Sequence, residues 1–444
     1  MPPRLVPFVV DDLRRVLVVG LGVTGRALVE AFVRRGVEVL VADDRPDAEV
    51  PDGARRVEVD QLAVTVADID AVVPSPGVPR HHPAYPAAES AGVPIVSELD
   101  LAAAWTDRPS VAVTGTNGKT TVVELVRRMC AASGLDAEIV GNADEPWVAA
   151  IDRRADDRPD LWIVEASSFR LDAVQHYRAD VAVWLNFAPD HLDWHPDLDD
   201  YRAAKARVLD LQRPEAVALG DVADPIVRAE LEGAPAGHEL VGAPAGDWRI
   251  DGEILHTPSG PVELGGVPPR HGPHDLVDLA AAAGAARHLG ASVDAVVEVI
   301  STFEGLRHRL EHVAHVDGID YFDDSKATAP HATIAALRGF DDAVLIAGGR
   351  NKGLDLGELG AVVDHLRHVV AIGDAADEVE AAFGGRVPVT IATSMRDAVA
   401  VATEAAAPLG EVVLSPACAS FDWYRNYGER GDDFARIVRE EIAR

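Results

Sequence analysis

Cysteine is nearly absent from this chain. Two occur in 444 residues, Cys130 and Cys418, so no disulfide framework braces the fold. The N-terminus also lacks the basic-then-apolar profile of a secretion signal, which makes a cytoplasmic location the expectation. No apolar run approaches the roughly 20 residues that span a bilayer, because charge or proline breaks every candidate, and membrane insertion is not expected. The 16 histidines show none of the Cys/His spacing of structural zinc. His191 and His195 stand four apart, but Pro196 follows and no Glu adjoins His191 as a zincin motif requires. Basic charge is short as well. Lys and Arg total 41 against 73 Asp and Glu, and the net charge of −32 argues against nucleic acid or anionic lipid as a partner and toward small-molecule chemistry. Apolar residues make up 48% of the chain, and its length suggests about three soluble domains.

The most informative segment is Val111-Ala112-Val113-Thr114-Gly115-Thr116-Asn117-Gly118-Lys119-Thr120-Thr121, a short apolar strand running into a turn that opens a helix. Gly115 and Gly118 let the backbone approach phosphates, whose charge suits the N–H groups at the positive end of a helix. Lys119 supplies a mobile charge to the β/γ oxygens, and the Thr120 hydroxyl can ligate magnesium. The spacing departs from the common P-loop, which requires Gly where this chain has Val113. Gly-Lys-Thr alone also occurs as a plain turn and cap. The preceding strand, the following helix from Val122 to Ala132 and the stop at Ser133-Gly134 favour phosphate binding.

Three blocks alternate strands and helices. In the first, Val16–Val19, a helix over about 24–35, Val37–Ala42 and Ala71–Val73 read as a parallel α/β unit. Its first turn, Gly20 to Gly25, is a full G-x-G-x-x-G, with Asp43 where a ribose-binding acid is expected. A nicotinamide-dependent oxidoreductase is therefore a rival reading. Ser75-Pro76-Gly77 forms a further turn beyond a strand end. In the second block, Leu161–Val164 ends at Glu165, a candidate magnesium carboxylate, and Val181–Leu185 ends at Asn186 through Asp190 and His191. Residues 215–266 read as short strands and loops of little chemical content, followed by an Ala-rich helix over 276–288. The third block has strands near 319–322, 343–347, 369–372 and 412–414, with polar clusters at their ends.

These motifs together resemble the Mur ligases of peptidoglycan assembly. The loop Thr114–Thr121, Glu165-Ala166-Ser167-Ser168-Phe169, Asn186 with Asp190-His191, Tyr201 to Lys205, Gly305 to Arg309, Asp324 to Thr328 and Leu414 to Ser420 stand in that family's order across nearly the whole chain. The resemblance implies an α/β fold of three domains. These are a Rossmann-like UDP-binding domain over 1–106, a central P-loop-type ATPase domain with a mostly parallel sheet over 107–302, and a C-terminal Rossmann-like glutamate-binding domain over 303–444. It implies ATP and Mg2+ as cofactors, UDP-N-acetylmuramoyl-L-alanine and D-glutamate as substrates, and a monomer. An L-glutamate-adding or other Mur-type ligase stays open.

The resemblance also assigns residues. Gly22, Val23, Thr24, Asp43 and Arg45 would contact the UDP part and Asn142 the muramoyl-alanine part, with Ser75 and Arg170 also in the UDP-substrate site. Gly115, Thr116, Asn117, Gly118, Lys119, Thr120, Thr121 and Asp278 would hold ATP, joined by Arg309 and Asp324 from the third domain. Thr120, Glu165, His191 and Lys205, the last as a carbamate, would serve magnesium, with Lys119, Glu165, His191 and Lys205 as the catalytic set. Lys326, Thr328, Lys352, Ser420 and Tyr427 would take the glutamate. Four positions depart from the family pattern: Arg170 replaces Gln, Asp144 replaces Gly, and Asp275 and Asp278 replace Asn near the adenine. Arg170 could add a charge contact to substrate phosphate or carboxylate.

Overall fold

The computed structural model describes residues 9–142, 145–192, 194–269 and 272–442; Asp144 lies outside them. The chain forms two compact units, the first built of Met1–Phe187, Trp194–Pro268 and Asp275–Thr302, the second of Ala188–Asp193, Pro269–His274 and Phe303–Arg444.

The first unit opens with a four-stranded parallel sheet in the order Ala54–Arg56, Glu38–Ala42, Arg15–Val19, Ala71–Pro74. The central strands are apolar on both faces because helices cover both, as a parallel sheet demands. Connections leave Arg15–Val19 toward one neighbour and return beside it on the other side, which places a crevice at its carboxyl end. The glycine turn and Ser75 occupy that crevice. Gly25 must be glycine, since a Cβ there would lie 1.8 Å from Gly20 O.

A second parallel sheet of six strands follows, ordered Gly237–Val241, Val217–Asp221, Val181–Trp184, Ser110–Thr114, Leu161–Glu165, Ala137–Gly141. Its switch of direction falls between Ser110–Thr114 and Val181–Trp184, so the phosphate loop and Asn186 sit together at the carboxyl ends. Residues 215–266 hold more regular structure than expected. They contribute two of those strands, the helix Pro225–Gly233 capped by Asp224, and a three-stranded antiparallel sheet. The helix at the phosphate loop begins at Lys119, and the Ala-rich helix spans Pro273–His288.

The helix Glu98–Ala104 joins the two sheets. Ser97 and Asp100 form a capping box, and the Asp100 carboxylate also accepts the backbone N–H groups of Gln175, His176 and Tyr177 at 2.7–3.2 Å. Arg35 adds an ion pair to Asp152 at 2.7 Å.

The second unit is built on a six-stranded sheet ordered Glu311–Val316, Ile319–Asp323, Gly410–Leu414, Ala343–Gly348, Leu366–Ile372, Val389–Ile391. Only the first pair is antiparallel. The carboxyl ends of its three central parallel strands carry Asp324, Gly349 and Ser415 side by side.

Candidate functional site

The glycine turn, the end of Glu38–Ala42 and Ser75 wall a cleft of about 400 Å³. Gly22, Val23, Thr24, Asp43, Arg45, Ser75, Asn142 and Arg170 all line it. Asp43 is fixed by the Leu21 N–H at 2.6 Å and by Arg45 Nε at 2.9 Å, and its bonds to Arg45 hold the carboxyl far below the usual range. Ser75 Oγ donates to Gly20 O at 2.7 Å, which pins the turn. The helix Val23–Arg34 begins inside the cleft, and a helix N-terminus, with its first N–H groups unpaired along the helix, favours an anion.

Arg170 is buried. Its guanidinium donates to Glu98 Oε2 at 2.8 Å and to Thr24 Oγ1 at 3.3 Å, and Glu98 Oε1 accepts the Val148 N–H at 3.0 Å. Sequence reasoning missed Glu98, whose partners lie far along the chain, although Ser97 and Asp100 mark the helix that carries it. Ser167 and Phe169, which the sequence placed in a motif but gave no contact, and His82, which it passed over, complete the cleft wall.

The phosphate loop is held from both sides. The Thr116 N–H donates to Asn186 O at 3.1 Å and the Asn117 N–H to Asn186 Oδ1 at 2.8 Å. Gly118 takes φ +84°, and a Cβ there would lie 2.5 Å from Asp278 Oδ1 and 2.9 Å from Leu185 Cδ1. That contact places Asp278 against the loop. Asp275 stands one turn earlier on the same helix. Lys119 Nζ donates to Gly115 O at 2.8 Å and Thr116 O at 2.9 Å, and Lys205 Nζ donates to the same Gly115 O at 2.9 Å. Lys205 is buried on the helix Leu198–Asp210, with Nζ 4.7 Å above the Tyr201 ring. Tyr201, which the sequence reading left without a role, also meets Thr116 Oγ1 through its hydroxyl at 3.2 Å.

Glu165 ends the strand beside the loop, 2% exposed. Oε1 accepts from Asn142 Nδ2 at 3.1 Å, whereas Oε2 is buried with no hydrogen-bond partner. A buried carboxylate oxygen left bare is costly, and a hard cation would satisfy it. The oxygen donors of Glu165 and Thr120 therefore fit magnesium. His191 belongs to the second unit, where it takes φ 56° and donates its N–H to Asp190 Oδ1 at 2.8 Å.

In the second unit, Arg309 lies between His308 at φ 62° and Leu310 at φ 47°. The left-handed region is sparsely populated by such residues and recurs at functional sites. Leu310 N–H and Ser415 Oγ both donate to Asp324, at 3.3 and 2.7 Å, and burial pushes the Asp324 carboxyl up to about 7. Lys326 Nζ stands 5.3 Å over the Tyr427 ring, whose backbone O accepts Ser325 Oγ at 2.8 Å. Arg430, 1% exposed, clamps this corner through Ser325 and Cys418 O. A bridge between Arg350 and Ala419 brings the loop of Lys352 beside that of Ser420. Thr328 sits on the same turn as Lys326, ahead of the helix Pro330–Leu337.

Three family descriptions match the chain: a Mur ligase MurD-like N-terminal domain over residues 14–97, a Mur ligase middle domain over 113–262 and a Mur ligase glutamate ligase domain over 308–418. A UDP-N-acetylmuramoylalanine--D-glutamate ligase of Desulfosudis oleivorans is 38% identical, covering 96% of each chain. One of Frankia casuarinae is 39% identical over 96% of this chain and 93% of its own. Among solved structures, a MurF ligase of Thermotoga maritima in complex with ADP shares the fold at a TM-score of 0.60 and 18% identity, covering 98% of this chain and 96% of its own.

Proposed function

The chain belongs to the Mur ligase family of ATP-dependent amide-forming ligases, and on that premise we propose that it joins D-glutamate to UDP-N-acetylmuramoyl-L-alanine in cytoplasmic peptidoglycan precursor synthesis. The nicotinamide reading of the glycine turn falls with family membership. One observation carries the substrate reading: a single cleft gathers Gly22, Val23, Thr24, Asp43, Arg45, Ser75, Asn142 and Arg170, so a nucleotide at the turn would extend its sugar toward the middle domain. The domain borders proposed are 1–106 for the UDP substrate, 107–302 for ATP and 303–444 for glutamate, and the working species is a monomer.

The L-alanine carboxylate attacks the γ-phosphorus of ATP. The bond to the bridging oxygen breaks, ADP leaves, and an acyl phosphate forms. The neutral glutamate amine then attacks the acyl carbon, phosphate departs, and the amine loses a proton as the amide forms. Both steps concentrate negative charge, so the residues act by position and charge. The N–H groups of Gly115 through Thr121 cradle the phosphates. Lys119 leaves its loop carbonyls to meet the transferred group. Magnesium, held by Thr120 and Glu165 with His191 and Lys205 serving a second ion, would neutralise the phosphate oxygens. Lys205 does so as a carbamate, since an ammonium repels a cation and a carbamate offers anionic oxygens. Arg309 and Asp324 hold ATP from the third domain. Lys326, Thr328, Lys352, Ser420 and Tyr427 receive the glutamate carboxylates, which need paired cations and hydroxyl donors.

The deciding experiment is phosphate release by the purified protein with ATP, magnesium and UDP-N-acetylmuramoyl-L-alanine, comparing D- with L-glutamate and identifying the product by mass. D-dependent turnover is expected. Turnover with L-glutamate alone would replace the substrate and keep the mechanism, and silence with both would overturn the reading.

A further inference from the structure

His195 fails the zincin spacing, yet its ring is enclosed in the first unit with 1% of the residue exposed. Nδ1 lies 2.8 Å from Asp200 Oδ2, and Nε2 lies 3.0 Å from Ser168 Oγ. A carboxylate only accepts, so Nδ1 carries hydrogen, and Nε2 makes the second bond, to the Ser168 hydroxyl. The connectivity is that of a Ser-His-Asp hydrolase triad. Ser168 is itself 1% exposed, however, and no substrate can reach its hydroxyl. The arrangement therefore orders structure and performs no attack.

What it orders is visible in the ring contacts. Phe169 stacks on His195 at 5.9 Å and 9°, and Tyr201 packs against it at 5.1 Å. Phe169, with Ser167 and Arg170, walls the UDP cleft. Tyr201 meets Thr116 of the phosphate loop and lies beneath Lys205. One imidazole thus stands between the two substrate sites of this unit. The first domain reaches the same network, because Arg80 lies 4.0 Å from Asp200 Oδ1 and donates to Asp172 Oδ2 at 2.7 Å.

We propose that His195 is a positioning residue for the ligation, holding Ser168 and Tyr201 so that the UDP cleft and the phosphate loop keep a common register. This rests on the function proposed above. It gives the Asp200–His195–Ser168 chain a role in the reaction that neither the motifs nor the family matches assign.

The test compares wild type, His195→Phe and His195→Gln in initial-rate assays with each substrate varied in turn. His195→Phe keeps a packed ring and loses both hydrogen bonds. It is expected to raise KM for the UDP substrate and for ATP by about 10-fold, the scale of a lost supporting contact, with KM for glutamate unchanged. His195→Gln, which restores an amide within reach of Ser168, is expected to recover part of both. Asp200→Asn, half-exposed, is expected to reproduce the His195→Phe pattern and carries the test should His195→Phe not fold. A fall in turnover with every KM at its wild-type value is the mark of mere destabilisation and overturns the proposal. Calorimetric titration of UDP and of ADP into wild type and His195→Phe separates this from failure of the function itself. Silence of the wild type counts against the ligase reading, whereas equal affinities in the two proteins overturn the role of His195.

Discussion

Lys119 and Lys205 donate to one and the same oxygen, Gly115 O, at 2.8 and 2.9 Å. Two ammonium groups so placed repel by about 3 kcal/mol at an effective dielectric near 20. Carbamylation of Lys205 replaces one of the two positive charges with a negative one and keeps an N–H that can donate to Gly115 O. Activity is therefore expected to fall when carbon dioxide is stripped from the buffer and to return with bicarbonate. Lys205→Ala is expected to lose activity that added formate or acetate partly restores; full activity in that variant, measured by phosphate release, removes the carbamate from the mechanism.

Lys119→Ala takes away the cation that would follow the transferred phosphoryl group. Ligation is expected to drop by at least about 100-fold, while binding of the UDP substrate, followed by calorimetry, stays near wild type because the cleft at Gly22 does not involve Lys119. Equal loss of both would mean that the two sites have been assigned to the wrong domains.

Glu98→Ala strands the Arg170 guanidinium in a buried site. Breaking one side of such a pair costs about 3–5 kcal/mol, which chemical denaturation will read directly. Arg170→Gln keeps a hydrogen bond to Glu98, so a smaller loss of stability is expected, with a raised KM for the UDP substrate. An unchanged KM would assign Arg170 to the scaffold alone.

Asp324 sets a pH dependence whose sign follows from burial. Its carboxyl titrates near 3.8 when unfolded and near 7 when folded, so between those values the folded chain binds more protons. The contribution is present below pH 3.8 and is lost as pH rises through about 7. Relative to wild type, Asp324→Asn is expected to gain stability as pH climbs across that window, measured by denaturant midpoints at several pH values. A difference that does not vary with pH would place the Asp324 carboxyl at its ordinary value.

The parts of the site legible in the sequence are those that one short segment encodes by itself. The loop at 114–121 points to phosphate binding through glycine spacing and a flanking strand, whereas the spacing of the glycine turn at 20–25 fits a nicotinamide site as well and marks only a nucleotide-type turn. Glu98 with Arg170, and Ser168 with His195, each join segments far apart in sequence, and no local pattern records such a pair. The helix Pro225–Gly233 was hidden for another reason. It lies in a Gly- and Pro-rich stretch of weak periodicity, and only Asp224 and Pro225 mark its start.

Asp100 has a practical meaning for anyone who would take the molecule apart. Its single carboxylate closes the start of its own helix and also gathers three successive N–H groups at 175–177. A fragment beginning at residue 107 would leave those three groups without their acceptor and Val148 N–H without Glu98. The proposed border near residue 106 is thus a poor place to cut the chain.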